Sequence, residues 1–156
     1  MKRTVEEQIN GMKAQTFGVE VEGNNITREH AAQVAAAYFG TNHYAYTANV
    51  DGYYTWSAWD QQGRKWKFQR DVSIVARNDN ERTELVTPIL RYEDIETLQE
   101  LLRRLRRAGA KSDPKHMCPH SGGRDESRPC EVRPYEVCIF YVNSGRATLR
   151  PYMDTP

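Results

Sequence analysis

The sequence lacks a long hydrophobic run and an excess of charge of either sign. No stretch approaches the roughly 20 apolar residues that a bilayer-spanning helix needs, and the first seven residues lack the apolar run of a signal peptide. The 22 Lys and Arg residues against 21 Asp and Glu residues give a formal net charge of +1. We therefore expect a cytoplasmic protein with no membrane partner, in which any binding of polyanions is local.

Cysteine is scarce, and the number of cysteines is odd. The three cysteines all lie in the last third of the chain, at Cys118, Cys130 and Cys138. An odd number excludes a complete set of disulfides, so reduced thiols are expected. With His116 and His120 they form a conceivable zinc ligand set, but no C-x-x-C pair is present, and we favour free thiols.

The length of 156 residues fits one ordinary domain. Residues 1–15 are polar and are interpreted as a flexible lead-in. Residues 16–112 carry the strand and helix patterns of the main domain. In residues 113–156 six of the seven prolines occur, and we interpret this segment as a divergent, Pro-rich tail whose structure the sequence specifies poorly.

Hydrophobic periodicity predicts an α+β fold with an antiparallel sheet covered by helices. A turn at Asp60-Gln61-Gln62-Gly63 lies between two aromatic alternating runs, which is typical of a β-hairpin. The predicted strands are 17–22, 53–59, 65–70 and 83–87, and the predicted helices are 28–39 and 93–108.

Four acidic residues are candidate metal ligands. Glu20 and Glu22 are two apart in a predicted strand, so both carboxylates point away from the apolar side. The simpler interpretation is a solvated strand face. However, if the strands that carry or precede Asp71 and Glu84 join the same sheet, the four carboxylates converge as a two-metal site for phosphoryl transfer.

Three ordered segments, 17–22, 63–74 and 84–90, precede an Arg-rich helix and the run Ala108-Gly109-Ala110-Lys111. In this order they resemble the amidoligases of bacteria and phages, over roughly residues 16–118. The resemblance implies the carboxylate-amine ligase group, related to glutamine synthetase and glutamate-cysteine ligase, with a catalytic antiparallel sheet.

The resemblance also implies ATP-dependent amide formation through an acyl phosphate, with small-molecule or peptide carboxylates and amines as substrates. The cofactors would be Mg²⁺ and ATP. Site residues carried over by motif are Glu20, Glu22 and Glu84 as Mg²⁺ ligands, Arg70 and Asp71 as positioners of substrate or phosphate, and Lys67 and Ser73 as contacts to the nucleotide.

The sequence departs from the family after Cys118, where no His-x-His strand and no long helical second half follow. We therefore hypothesise a truncated or frameshifted product with an incomplete glutamine-synthetase-like fold, inactive as it stands. The alternative function is a non-catalytic module that binds an anionic partner through the basic run 103–107. The helix dipole and a solvated helix face already explain those bases, so nucleic acid is not expected as a partner.

Overall fold

The computed structural model describes residues 4–112. Six strands form one sheet in the order β2-β3-β4-β5-β1-β6, and every neighbouring pair is antiparallel. The strands are β1 Glu20–Asn24, β2 Tyr44–Tyr46, β3 Trp56–Trp59, β4 Lys65–Gln69, β5 Thr83–Val86 and β6 Lys111–Ser112. The helices are α1 Val5–Lys13, α2 Arg28–Phe39, α3 Ala48–Asp51 and α4 Ile95–Arg107, with 3-10 turns at Asp79–Glu81 and Tyr92–Asp94. The predicted α+β class and antiparallel sheet are confirmed.

The core lies between the sheet and the pair α2 and α4. Four alanines of α2 are fully buried, and their small side chains let the helix pack closely on β3 and β4. Trp66 and Phe68 of β4 fill the space beneath it, both with no exposed surface, and Leu101 of α4 completes the cluster. One face of the sheet therefore packs against α2 and α4.

Local signals account for the helix ends. Thr27 caps α2 by accepting a hydrogen bond from the His30 N–H, and Gly40 ends it in the left-handed conformation. Gly109 follows α4 with a φ of 111°, which favours glycine. The predicted helix 28–39 is confirmed residue for residue, and the predicted helix 93–108 matches α4 with the 3-10 turn before it.

The strands are shorter than the alternation predicts. Before β1, Phe17 makes an isolated bridge with Leu90, and the Val19 N–H donates to the Thr87 hydroxyl instead of to a backbone carbonyl. Regular pairing with β5 therefore begins only at Glu20. The short strands β2 and β6 have no pattern of their own and form because a neighbouring strand offers a partner.

Residues 5–13, interpreted as part of a lead-in, form α1. Thr4 and Glu7 make a reciprocal capping box, which explains a helix start without strong apolar periodicity. None of its residues is buried. The predictions for the Pro-rich tail and for zinc ligands from His116 to Cys138 lie outside the described residues.

Within residues 4–112, no helix is long and apolar enough to cross a membrane.

Candidate metal site on the sheet

The acidic side chains of β1 and β5 share the sheet face opposite α2 and α4. Val19, just before β1, and Val21 within it face the core and alternate with Glu20 and Glu22. Glu22 is the direct cross-strand partner of Glu84 in β5. Two carboxylates placed opposite each other repel unless a cation or a proton lies between them.

Asp71 joins this pair from the end of β4. Carboxylate oxygens of Glu22, Asp71 and Glu84 all lie within 4.8 Å of one another. The backbone N–H of Ser73 donates to Asp71 Oδ1 over 2.7 Å and fixes that side chain. We call these three acids the carboxylate group. Glu20 was also predicted to bind metal, but it is not one of the three.

Gln69 holds the carboxylate group from the adjacent strand. Its Nε2 donates to Glu84 Oε2 over 2.8 Å, and the two residues are cross-strand partners. Sequence reasoning missed Gln69. The available signal was its position in β4, two residues from both Lys67 and Asp71, which places it on the same face as Lys67.

Burial and neighbouring charge both act on Glu84, which is only 9% exposed. Burial raises the pKa of its carboxyl, the negative charges of Glu20, Asp71 and Glu22 raise it further, and the hydrogen bond from Gln69 opposes the shift. The negative charge of Glu20 therefore also acts on the carboxylate group. A divalent cation would relieve this repulsion, and clustered carboxylates are the ligands that Mg²⁺ prefers.

Lys67 lies on the same sheet face, two residues before Gln69 in β4. It pairs with Val86 of β5, whose other cross-strand partner is Glu20. Its side chain is half-buried, and no ion pair joins it to another residue of the described segment. A half-buried ammonium on the same face as clustered carboxylates is a suitable contact for a phosphate oxygen.

Arg70 is oriented away from the carboxylate group. Its Nε donates to Asp79 Oδ1 over 2.8 Å, and its guanidinium lies 5.7 Å from the ring centre of Tyr54. This agrees with the alternation in β4, which puts position 70 on the side of Trp66 and Phe68. The structure thus brings Asp71 to the carboxylate group but not Arg70.

A groove of about 300 Å³ borders the site. It is lined by residues 16–20 and 86–89, where β1 begins and β5 ends, and Glu20 belongs to its wall. Apolar side chains such as Val86 and Ile89 form much of the lining. Of the acidic residues on this sheet face, Glu20 lines the groove, whereas Glu22, Asp71 and Glu84 are not among its lining residues.

The basic end of α4 is engaged within the protein. Glu100 forms ion pairs with Arg103, Arg104 and Arg107 at 3.1–3.4 Å, and the Arg104 guanidinium also lies over the Tyr38 ring. Part of the positive charge is thus compensated on the helix itself. These contacts give no support to an anion-binding module.

Comparison with known protein families assigns most of the chain to one family. The model of a family described as "Putative amidoligase enzyme" matches residues 13–120. The chain belongs to this amidoligase family. The match contains β1 to β6, and with them the carboxylate group, Gln69 and Lys67. Among curated proteins and among solved structures, none matches the chain significantly.

Proposed function

We propose that this amidoligase joins a carboxylate to an amine in an ATP- and Mg²⁺-dependent reaction at the carboxylate group. The observation that carries the proposal is the convergence of Glu22, Asp71 and Glu84 within 4.8 Å on the sheet face opposite the helices. Such a group fits a hard divalent cation that also contacts phosphate oxygens. Family membership supplies the reaction class.

In this proposal the reaction has two steps. A substrate carboxylate oxygen attacks the γ-phosphorus of ATP, which forms an acyl phosphate and releases ADP. The amine nitrogen then attacks the acyl carbon, phosphate leaves, and the nitrogen loses a proton. A bound Mg²⁺ supplies compensation for the charge of the triphosphate.

The chain's own residues have distinct roles in this proposal. Glu22, Asp71 and Glu84 hold the cation, and Gln69 and the Ser73 N–H keep two of these carboxylates oriented. Lys67 contacts a phosphate oxygen from the neighbouring row. Glu20, on the same strand face, adds negative charge beside this cation.

Isothermal titration calorimetry of the full chain with ATP, with and without Mg²⁺, tests this proposal. Wild type binds ATP only with Mg²⁺, and Glu22→Gln and Glu84→Gln each weaken binding by about tenfold or more because a ligand is lost. Glu96→Gln, on the exposed surface of α4, is the matched control and binds as wild type does. Binding that needs no Mg²⁺, or that both site variants retain, contradicts the proposal.

A further inference from the structure

The groove beside Glu20 forms where the segments leading into β1 and out of β5 separate. Phe17 pairs with Leu90 at one end of this region, and Glu20 pairs with Val86 at the other. Two residues on the β1 side face three on the β5 side between these pairs, which is the count of a β-bulge. Pro88 belongs to the longer side and has no N–H to pair with a neighbour. The two segments therefore part, and the groove opens between them.

Gly18 leaves space in the wall of this groove. A Cβ added at Gly18 would meet no atom within 4 Å. Gly18 is not among the glycines with a positive φ, so its backbone conformation does not require glycine. It precedes Glu20 by two residues, which places both on the same side of an extended chain. A larger side chain at this position would therefore narrow the groove next to Glu20.

The charge of the groove favours a cation. Among the lining residues that the structure describes, Glu20 is the only charged one. Its carboxylate makes no ion pair or hydrogen bond with another residue of 4–112. The N–H groups of Phe17, Val19 and Thr87 are already donated within the chain, so few backbone donors remain for an anion. A positively charged ligand therefore complements this lining.

The remaining lining favours an apolar group next to that charge. Val86 lies directly opposite Glu20, and Ile89 is 73% exposed although it is a large apolar residue. Covering an exposed isoleucine with an apolar group removes its surface from water, which is favourable. Small-molecule sites commonly combine an apolar lining with a few polar groups that fix the orientation of the ligand.

The groove also adjoins the position proposed for a phosphate oxygen. Glu20, Val86 and Lys67 are cross-strand neighbours in β1, β5 and β4, on the same sheet face. Neighbouring strands are about 4.8 Å apart, so the backbones of Glu20 and Lys67 are about 10 Å apart. Both side chains extend from this face. A ligand held at Glu20 therefore approaches a phosphate held at Lys67.

We infer that this groove binds the amine substrate, as a primary ammonium ion with an apolar substituent. The ammonium group pairs with Glu20, and the substituent lies against Val86 and Ile89. This inference rests on the proposed function, because the amine must meet the acyl phosphate near Lys67. The other substrate is a carboxylate, which the negative charge of Glu20 would repel.

NMR titrations of the isotope-labelled full chain with three probes of equal chain length test the inference. The probes are hexylamine, 1-hexanol and hexanoate, which are cationic, neutral and anionic at pH 7. We expect hexylamine to shift the amide signals of residues 16–20 and 86–89. It should bind about threefold to tenfold more tightly than hexanol, and hexanoate should bind least. Glu20→Gln should abolish the preference for the amine and leave hexanol binding unchanged.

A second variant tests the groove without altering its charge. Gly18→Leu fills space beside Glu20, and we expect it to weaken hexylamine binding by about tenfold or more because the side chain occupies the site. Amide signals outside the groove should keep their wild-type positions, which shows that the fold is retained. Gly11→Leu is the matched control, since Gly11 lies in α1 and likewise has no atom within 4 Å of an added Cβ. It should bind hexylamine as wild type does.

Equal binding of the three probes by wild type would overturn the ammonium site. Hexylamine binding that Gly18→Leu retains, or shifts confined to other residues, would overturn the groove as its location. Either result leaves the proposed function intact, because that function is tested separately with Mg²⁺·ATP. Failure of the folded wild type to bind Mg²⁺·ATP would overturn the proposed function, and with it the role of the groove as a substrate site.

Discussion

Glu84 shows how one residue is shaped by its position in the sheet. It is buried, it lies opposite Glu22, and it accepts a hydrogen bond from Gln69. A solvated glutamate has none of these constraints. The folded chain therefore tolerates an unfavourable negative charge at a point where a cation would offset it.

The raised pKa of Glu84 predicts a pH-dependent loss of stability. The folded state holds the proton more tightly than the unfolded chain, so the free energy of unfolding falls as pH rises from below the ordinary pKa, near 4.5, through the raised value. Glu84→Gln is neutral and can still accept from Gln69. At pH 7 and without divalent cations it should therefore be more stable than wild type, and the two should converge at pH 4.

Urea unfolding of both proteins at pH 4, 5.5 and 7 measures this difference. Glu29→Gln, at an exposed position of α2, is the control and should follow the wild-type profile. A constant difference between Glu84→Gln and wild type across the three pH values would contradict the assignment. The same substitution is expected to weaken Mg²⁺·ATP binding, so stability and binding should change in opposite directions.

At the scale of elements, the β3–β4 hairpin is fixed by one nearly buried carboxylate. Asp60 Oδ1 accepts the N–H groups of Gln62 and Arg64, and Oδ2 accepts from Arg64 Nε and from the indole N–H of Trp66. Arg64 also makes a bidentate pair with Asp94 at 2.9 Å, which ties the hairpin to the start of α4. The Arg64 hydrogen bond lowers the pKa of Asp94.

Asp60→Ala should destabilise the protein by about 3 kcal/mol or more. The substitution leaves the fully buried indole N–H of Trp66 and one side of Arg64 without their acceptor. Gln62→Ala, at an exposed position of the same turn, should stay within about 0.5 kcal/mol of wild type. Guanidinium unfolding followed by tryptophan fluorescence gives both values, and equal effects of the two substitutions would contradict the role of Asp60.

At the scale of the whole molecule, the sheet separates the hydrophobic core from the candidate metal site. One face carries the core with α2 and α4, and the other carries the carboxylate group and Lys67. The strands link the two faces, because alternate residues of β1, β4 and β5 point to opposite sides. Substitutions in the core should therefore change stability without changing the site of the folded protein.

Leu101→Ala tests this separation. Leu101 has no exposed surface, and its truncation should cost about 2–5 kcal/mol in the free energy of unfolding. The folded fraction should still bind Mg²⁺·ATP within about a factor of two of wild type, since the change lies on the other face. Val5→Ala, at a 71% exposed position of α1, should alter neither quantity by a measurable amount. A large loss of affinity in folded Leu101→Ala would show that the two faces are coupled.

Much of the fold follows from local sequence. Thr27 and Gly40 mark the ends of α2, and the Asp60–Gly63 turn marks the β3–β4 hairpin, because capping and turn formation depend on residues close in the chain. Short elements such as β2 were missed, since a three-residue strand exists only where β3 offers it a partner. The sequence predicts that Tyr53 and Tyr54 lie in a strand, because they continue an alternating aromatic run. They lie instead in a turn that Arg28 and Arg70, distant in the chain, hold by hydrogen bonds to its carbonyl groups.

The sequence by itself determined the family segment, the α+β class and which acidic residues share a strand face. The two-residue alternation of a strand assigns each side chain to a sheet face. It does not specify which residues of neighbouring strands lie opposite each other. Only the tertiary structure decided that Glu22 lies opposite Glu84, that Asp71 completes the carboxylate group, and that Gln69 orients it. The contacts of Glu22 join β1 to segments about 50 to 60 residues further along the chain, and Gln69 reaches Glu84 across 15 residues. Sheet pairing, and not local preference, fixes them.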